Sequence, residues 1–174
     1  MGRQTQTLRV LRLLVLVGLY ASVQAQMQVF GDWVVLLRTD PITDDITTFV
    51  YAPAWDNPDR NEGSLMVRCR DEVLEIYFNL GGFAELERDS LRVTPIYRLD
   101  KEEPVTVRGG GVSTSGEAFF FPADGEEELL GGFRRASNFV FRIENRRNDL
   151  LTYQVSLDGF AEAYEYAALG ACEE

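Results

Sequence analysis

The sequence contains no histidine, only two cysteines, one lysine and no Asn-x-Ser/Thr triplet. Without histidine, neither a Ser-His-Asp nor a Cys-His nucleophile can be assembled, and no metal can be held by imidazole. The two cysteines, Cys69 and Cys172, are better used as one disulfide than as nucleophiles. The missing glycosylation triplet favours a bacterial periplasm over a eukaryotic secretory route. A phosphate-binding loop is excluded as well. The glycine-rich stretch Gly109-Gly110-Gly111-Val112-Ser113-Thr114-Ser115-Gly116 is followed by Glu117, where such a loop requires lysine, so it reads as a hairpin loop. Asp56, Asp59, Asn61 and Glu62 have the composition of a calcium loop, but for a loop starting at Asp59 the bidentate glutamate position falls on Arg70. No cofactor and no metal site is expected, and no catalytic residue can be named.

Long apolar runs are also scarce; only one occurs. Arg3, Arg9 and Arg12 precede Leu13 to Ala21, and Val23-Gln24-Ala25 supplies a small-x-small exit. This is a secretory signal peptide, residues 1–25, cut after Ala25. The run is too short to span a bilayer comfortably, so no membrane insertion is expected after cleavage. Residues 26–174 then form a single domain in the periplasm, or secreted beyond it. Three of the 17 basic residues lie in the leader and none of the 28 acids do, which leaves a net charge of −14. Such a balance repels nucleic acid and anionic membrane surfaces and excludes both as partners. In an oxidising compartment the cysteine pair closes a disulfide.

What is present is β-structure. Leu65 to Arg70 alternates Leu65, Val67 and Cys69 with Met66, Arg68 and Arg70, and Val73 to Leu80 is rich in aromatic and β-branched residues. With Asp71-Glu72 between them, these limbs predict a hairpin that carries Cys69 on its buried side, the anchor of the C-terminus. Val29 to Arg38 opens the domain, with Trp33 to Leu37 a strand buried on both faces or nearly so. Asp40-Pro41-Ile42-Thr43-Asp44-Asp45 is a turn, Thr47 to Ala52 a strand, and Pro53 to Gly63 a polar loop. Further strands are predicted at Leu91 to Leu99, Val105 to Arg108, Ala118 to Phe121, Phe139 to Glu144 and Leu151 to Leu157. Arg98 and Asp100, two apart at a strand end, read as an ion pair within the sheet. Glu126 to Ala136 predicts a short helix, and Asp158 caps a closing helix over Gly159 to Ala171. The fold class is mainly β: an antiparallel β-sandwich or partly open barrel with a short helix and a C-terminal helix.

Trp33, Asp40 to Asp45, Leu65 to Arg70 with Cys69, Glu75 to Asn79 with Gly82-Phe83, Tyr97-Arg98-Leu99-Asp100 and the near-terminal Ala171-Cys172 follow one another in an order that resembles the VasI/TagO family. These are exported accessory proteins associated with bacterial type VI secretion. The resemblance implies a β-sandwich envelope protein without catalysis, acting as an accessory or adaptor on another envelope or secretion-system protein. Trp33, Tyr51, Trp55, Tyr97, Arg98 and Asp100 are the candidate contact residues. The alternative is a periplasmic inhibitor of a basic wall-degrading enzyme such as a lysozyme, towards which an acidic protein is steered. A third reading is a carboxylate-dependent glycan hydrolase, which requires two acids in one cleft.

Overall fold

A computed structural model describes residues 26–56, 61–70, 72–81 and 94–172. The leader, Asp59 of the calcium-like stretch, Gly82 to Val93 and the Trp55 side chain lie outside the described residues. Among the described residues eleven strands and two short α-helices follow in chain order. They are β1 (Gln26–Phe30), β2 (Trp33–Thr39), β3 (Ile46–Asp56), β4 (Asn61–Arg70), β5 (Val73–Asn79), β6 (Ile96–Leu99), β7 (Val105–Thr106), β8 (Gly111–Val112), β9 (Ala118–Phe120), α1 (Glu126–Phe133), β10 (Asn138–Glu144), β11 (Leu150–Ser156) and α2 (Phe160–Tyr166). Every strand pairing is antiparallel.

Strand β3 is where the hydrogen-bonded path turns from one layer to the other. Its first half pairs β2 as far as Tyr51, and Trp55 near its end meets Gln154 of β11. One layer runs β1-β2-β3-β4-β5-β9-β8 and the other β11-β10-β6-β7. The end strands β7 and β8 do not pair with each other, so the sheet stays open. Of the two architectures expected, the sandwich is the one adopted.

The core lies between these layers and is dominated by aromatic rings. Phe78 of β5 stacks on Phe141 of β10 at 4.6 Å and leans on Tyr153 of β11 at 4.9 Å. The Tyr153 hydroxyl donates to the Leu80 carbonyl at 3.0 Å, which satisfies its one polar atom within the core. Helix α1 buries Leu129, Leu130 and Phe133, and α2 buries Phe160, Ala163 and Tyr164. Phe133 meets Phe139 at 5.1 Å and Phe160 at 5.4 Å, which ties both helices to the same end of the sandwich.

The central hairpin forms as expected. β4 and β5 pair from Arg70↔Val73 to Ser64↔Asn79, with Leu65 and Val67 buried and Cys69 partly buried. Glu72 turns at φ 64°. Cys69 is bonded to Cys172, with Cα atoms 6.0 Å apart.

Five local expectations are corrected. The opening segment is two strands, because Gly31 at φ 53° is the first central residue of a two-residue turn joining Phe30 to Trp33. Pro53 to Gly63 is mostly strand: β3 and β4 pair from Phe49↔Arg68 to Asp56↔Asn61. Pro53 has no N–H, and it sits between the last β2 partner at Tyr51 and the β11 contact at Trp55, where β3 has one neighbour.

Asp158 does not cap the closing helix. The cap is Gly159 at φ 86°, and a Cβ there would overlap the Phe30 carbonyl, so only glycine fits. The helix stops at Tyr166 rather than Ala171. Ala168 at φ 53° then leads into a tighter turn over Leu169–Cys172, which carries Cys172 back to Cys69. Finally, Arg98 and Asp100 form no ion pair. The Asp100 carboxylate accepts the N–H groups of Ser137 and Asn138 at 2.9–3.2 Å, fastening the start of β10.

Two smaller readings hold. The Asp40 carboxylate accepts the N–H groups of Ile42 and Thr43, so the Asp40 to Asp45 segment is a capped turn. Ser113 Oγ accepts the N–H groups of Glu117 and Ala118, which folds the glycine-rich stretch into the β8–β9 hairpin.

Candidate interaction surface

The inner faces of β2, β3 and β4 carry Trp33, Val35, Val50, Ala52, Leu65 and Val67, all fully buried. Alternation along a strand therefore turns the residues between them outward. The register aligns those outward residues into rows. One row crosses six strands: Val29, Val34, Tyr51, Met66, Tyr77 and Phe120. A second row holds Met27, Leu36, Phe49, Arg68 and Glu75.

An outer sheet face is ordinarily polar; this one is apolar across its whole first row. Met27 and Val29 are 64% and 53% exposed, Val34, Leu36, Phe49, Tyr51, Met66 and Phe120 are half-buried, and Tyr77 is covered by its neighbours. The Tyr77 ring lies 4.9 Å from Phe120, with the Arg68 guanidinium 5.0 Å above it. Burial holds the Tyr77 hydroxyl above the ordinary tyrosine range, so it stays protonated. An open cleft of about 480 Å³ breaks the face beside this row, lined by Tyr51, Pro53, Ala54, Gly63, Ser64, Met66 and Asn79.

Arginines and acids both edge this face. Arg38, Arg68 and Arg70 stand at outward positions, Glu75 is bonded to Arg68 at 2.5 Å, and Glu62 holds a position of the same parity on β4. On a protein of net charge −11, the apolar rows are thus edged with arginine as well as acid. Such a surface can bury apolar groups and orient an acidic partner group.

The six residues expected at the contact surface do not share one. Tyr51 stands in the middle of the apolar row, and Trp55 occupies a position of the same parity on β3. Trp33 is completely buried, its ring 4.8 Å from Phe160 and its Nε1 donating to the Ser156 carbonyl, so it belongs to the core. Tyr97 lies in the other layer, pairs with Phe141 and packs on Phe121 and Phe139. Burial raises its hydroxyl pKa also, with Glu128 and Glu102 adding to the effect. Arg98 points from the opposite side of β6, opposite Val140, beside a shallow cleft that includes Arg142. Asp100 is committed to backbone N–H groups.

Val34, Leu36, Phe49, Met66, Tyr77 and Phe120 were not singled out from the sequence. Their signal was the consecutive apolar residues in strands of an antiparallel sheet, which reads equally as burial on both faces.

These features define a class: an open antiparallel β-sandwich with a disulfide-tied tail and an apolar outer face. No protein-family model matches the chain, and no curated protein matches it in sequence. Among solved structures it is similar to the crystal structure of invasion associated protein B from Bartonella henselae. That similarity covers 83% of this chain and 96% of the other, with a TM-score of 0.57 at 12% identity. At that identity the likeness is one of fold.

Proposed function

We propose that the chain is an exported, non-enzymatic accessory protein of the bacterial envelope that works by docking another envelope protein on the outer face of its β1–β5 layer. The apolar row from Val29 to Phe120 carries this reading, because a contiguous apolar patch on a soluble domain marks a contact surface. The leader read at residues 1–25 and the cysteine pair support export to an oxidising compartment.

The finer placement, among VasI/TagO-like proteins beside a type VI secretion system, rests on motif order. The motif residues Trp33, Asp40, Cys69, Asp100 and Cys172 are occupied with holding the sandwich together. The motif therefore supports a shared scaffold more strongly than a shared partner. An inhibitor of a cationic wall enzyme is less well supported, since the apolar face is edged by arginines as well as acids, where acids would be required.

The test is site-specific photocrosslinking in the native envelope with the probe at Tyr51 or Met66, against a control probe at Glu144. A defined adduct from the two face positions, with the Met66 adduct lost on Tyr51→Lys, is the expected result. Adducts from Glu144 alone, or turnover of a glycan substrate by the purified protein, would overturn the reading.

A further inference from the structure

We propose that the cleft between the β6–β7 hairpin and the start of α1 is a binding site for a basic side chain, a lysine or arginine presented by a peptide. It shares no residue with the docking face of the β1–β5 layer, so it stands or falls apart from the partner proposed above.

The cleft has an apolar floor of side-chain size. Val107, Phe121 and Leu129 line it and are buried, with the half-buried Tyr97 beside them. Its volume of about 190 Å³ falls below the roughly 300–1,000 Å³ of pockets that take whole small molecules, and suits one alkyl stem.

The rim carries two acids that nothing in the fold compensates. The single turn Ala123–Gly125 runs straight into α1, so Asp124 and Glu128, four residues apart, stand on the same side and both line the cleft. Like charges at that spacing repel. Both are exposed, and neither makes a hydrogen bond or ion pair with another described residue. The carboxylates of Glu128 and Glu102 also act on the Tyr97 hydroxyl.

The surrounding charges do not reverse this balance. Arg108 is the one basic residue lining the cleft, and it pairs with neither acid. Arg135 folds back over Gly131 without an ion pair to Glu128. Arg98 points from the other side of β6, and Lys101 in the β6–β7 turn is followed by Glu102 and Glu103. Glu126, Glu127 and Glu128 in the first turn of α1 offset the positive end of its backbone.

An acidic rim above an apolar floor selects a cation on an apolar stem, which lays its methylenes on Phe121 and Leu129 and sets its head between the carboxylates. A neutral apolar group would leave the acids unpaired, and an anion would meet both. A bare metal ion fits poorly, because among the described residues no three ligating side chains converge.

The test is two-dimensional NMR of the isotope-labelled full chain, expressed with its own leader and purified as the cell leaves it, titrated with Nα-acetyl-lysine amide and Nα-acetyl-arginine amide. Saturable shifts of the Thr106, Arg108, Gly125 and Leu129 amides are expected, with a Kd on the order of 1 mM for ligands of so few atoms. Nα-acetyl-norleucine amide, the stem without the charge, should bind at least about tenfold more weakly. Asp124→Asn and Glu128→Gln should each weaken binding by up to about fivefold, as exposed ion pairs do, and together by roughly tenfold. Arg108→Gln should tighten it. These side chains are exposed, so the melting temperatures should match the parent. No saturable shift with either cation, equal binding of the norleucine amide, or binding indifferent to the double variant overturns the proposal.

Discussion

Breaking the tie between Cys69 and Cys172 should expose how far this fold depends on its tail. The bond closes a sequence separation of 103 residues, and the chain-entropy relation gives about 4–5 kcal/mol for a loop of that size. The tail it fixes is not a loose appendage. Leu169, three residues before Cys172, is buried in the common core, and the turn it belongs to packs on β4 and β5. Releasing the tail therefore opens the core beside Leu74 and Ile76 instead of only fraying an end. A domain of this size has about 5–15 kcal/mol in total, so the variant should remain folded but marginal. At about 2–4 °C per kcal/mol, Cys69→Ser should lower Tm by roughly 8–20 °C. Cys172→Ser should lower it equally, since either change breaks the same bond. Calorimetry with near-UV circular dichroism is the assay, and reducing the parent protein should reproduce the shift. A drop of under about 3 °C would show that the tail detaches while the sandwich stays whole. Unequal drops for the two variants would contradict the pairing.

Other substitutions probe separate parts of the fold. Gly159→Ala forces a side chain against the Phe30 carbonyl and the Gly31 nitrogen at φ 86°, backbone atoms that cannot rotate away. It should cost upward of about 3 kcal/mol, adding the left-handed penalty to the overlap, and denaturant melts should show it. Gly132→Ala meets only the end of the Leu99 side chain and should cost less, on the order of 1–2 kcal/mol in the same melts. Asn145→Ala removes an Oδ1 that accepts the N–H groups of Arg147 and Asp149 in a nearly buried turn, a loss of about 1–3 kcal/mol.

Glu126→Gln has a pH signature. Burial raises the carboxyl pKa, opposed by the hydrogen bond it accepts from the Ile76 N–H and aided by nearby Glu75. A raised folded-state pKa means the fold favours the protonated acid. That stability is fully present below the ordinary value of 4.5 and is lost as pH rises through the higher folded value. The amide variant should therefore melt higher than the parent at pH 7 and at the same temperature well below pH 4.5. An equal difference at both pH values would refute the assignment.

Much of the architecture can be read along the chain because its causes are local. The β4–β5 hairpin follows from alternation and a two-residue turn, and the Asp40 turn from a carboxylate two and three residues from the N–H groups it accepts. The β10–β11 hairpin follows in the same way from Asn145. Acidity and the single cysteine pair are properties of composition. The Asp158 error came where a residue's partner is distant. Asp158 is a sound helix cap on local grounds, yet its carbonyl accepts the Asp32 N–H from the far end of the chain, and the cap passes to Gly159.

Composition and alternation by themselves determined that this chain is a mainly β domain whose two cysteines are joined. They could not determine which face of each strand meets the core. That is a property of strand order, and the path β11-β3-β4-β5 joins segments up to a hundred residues apart. Only the folded molecule put Trp33 inside, turned Tyr97 and Asp100 to the support of the second layer, and gathered Val34, Tyr51, Met66, Tyr77 and Phe120 on one outer face. An apolar side chain carries the same transfer free energy wherever it stands, and its sign does not say which surface will cover it.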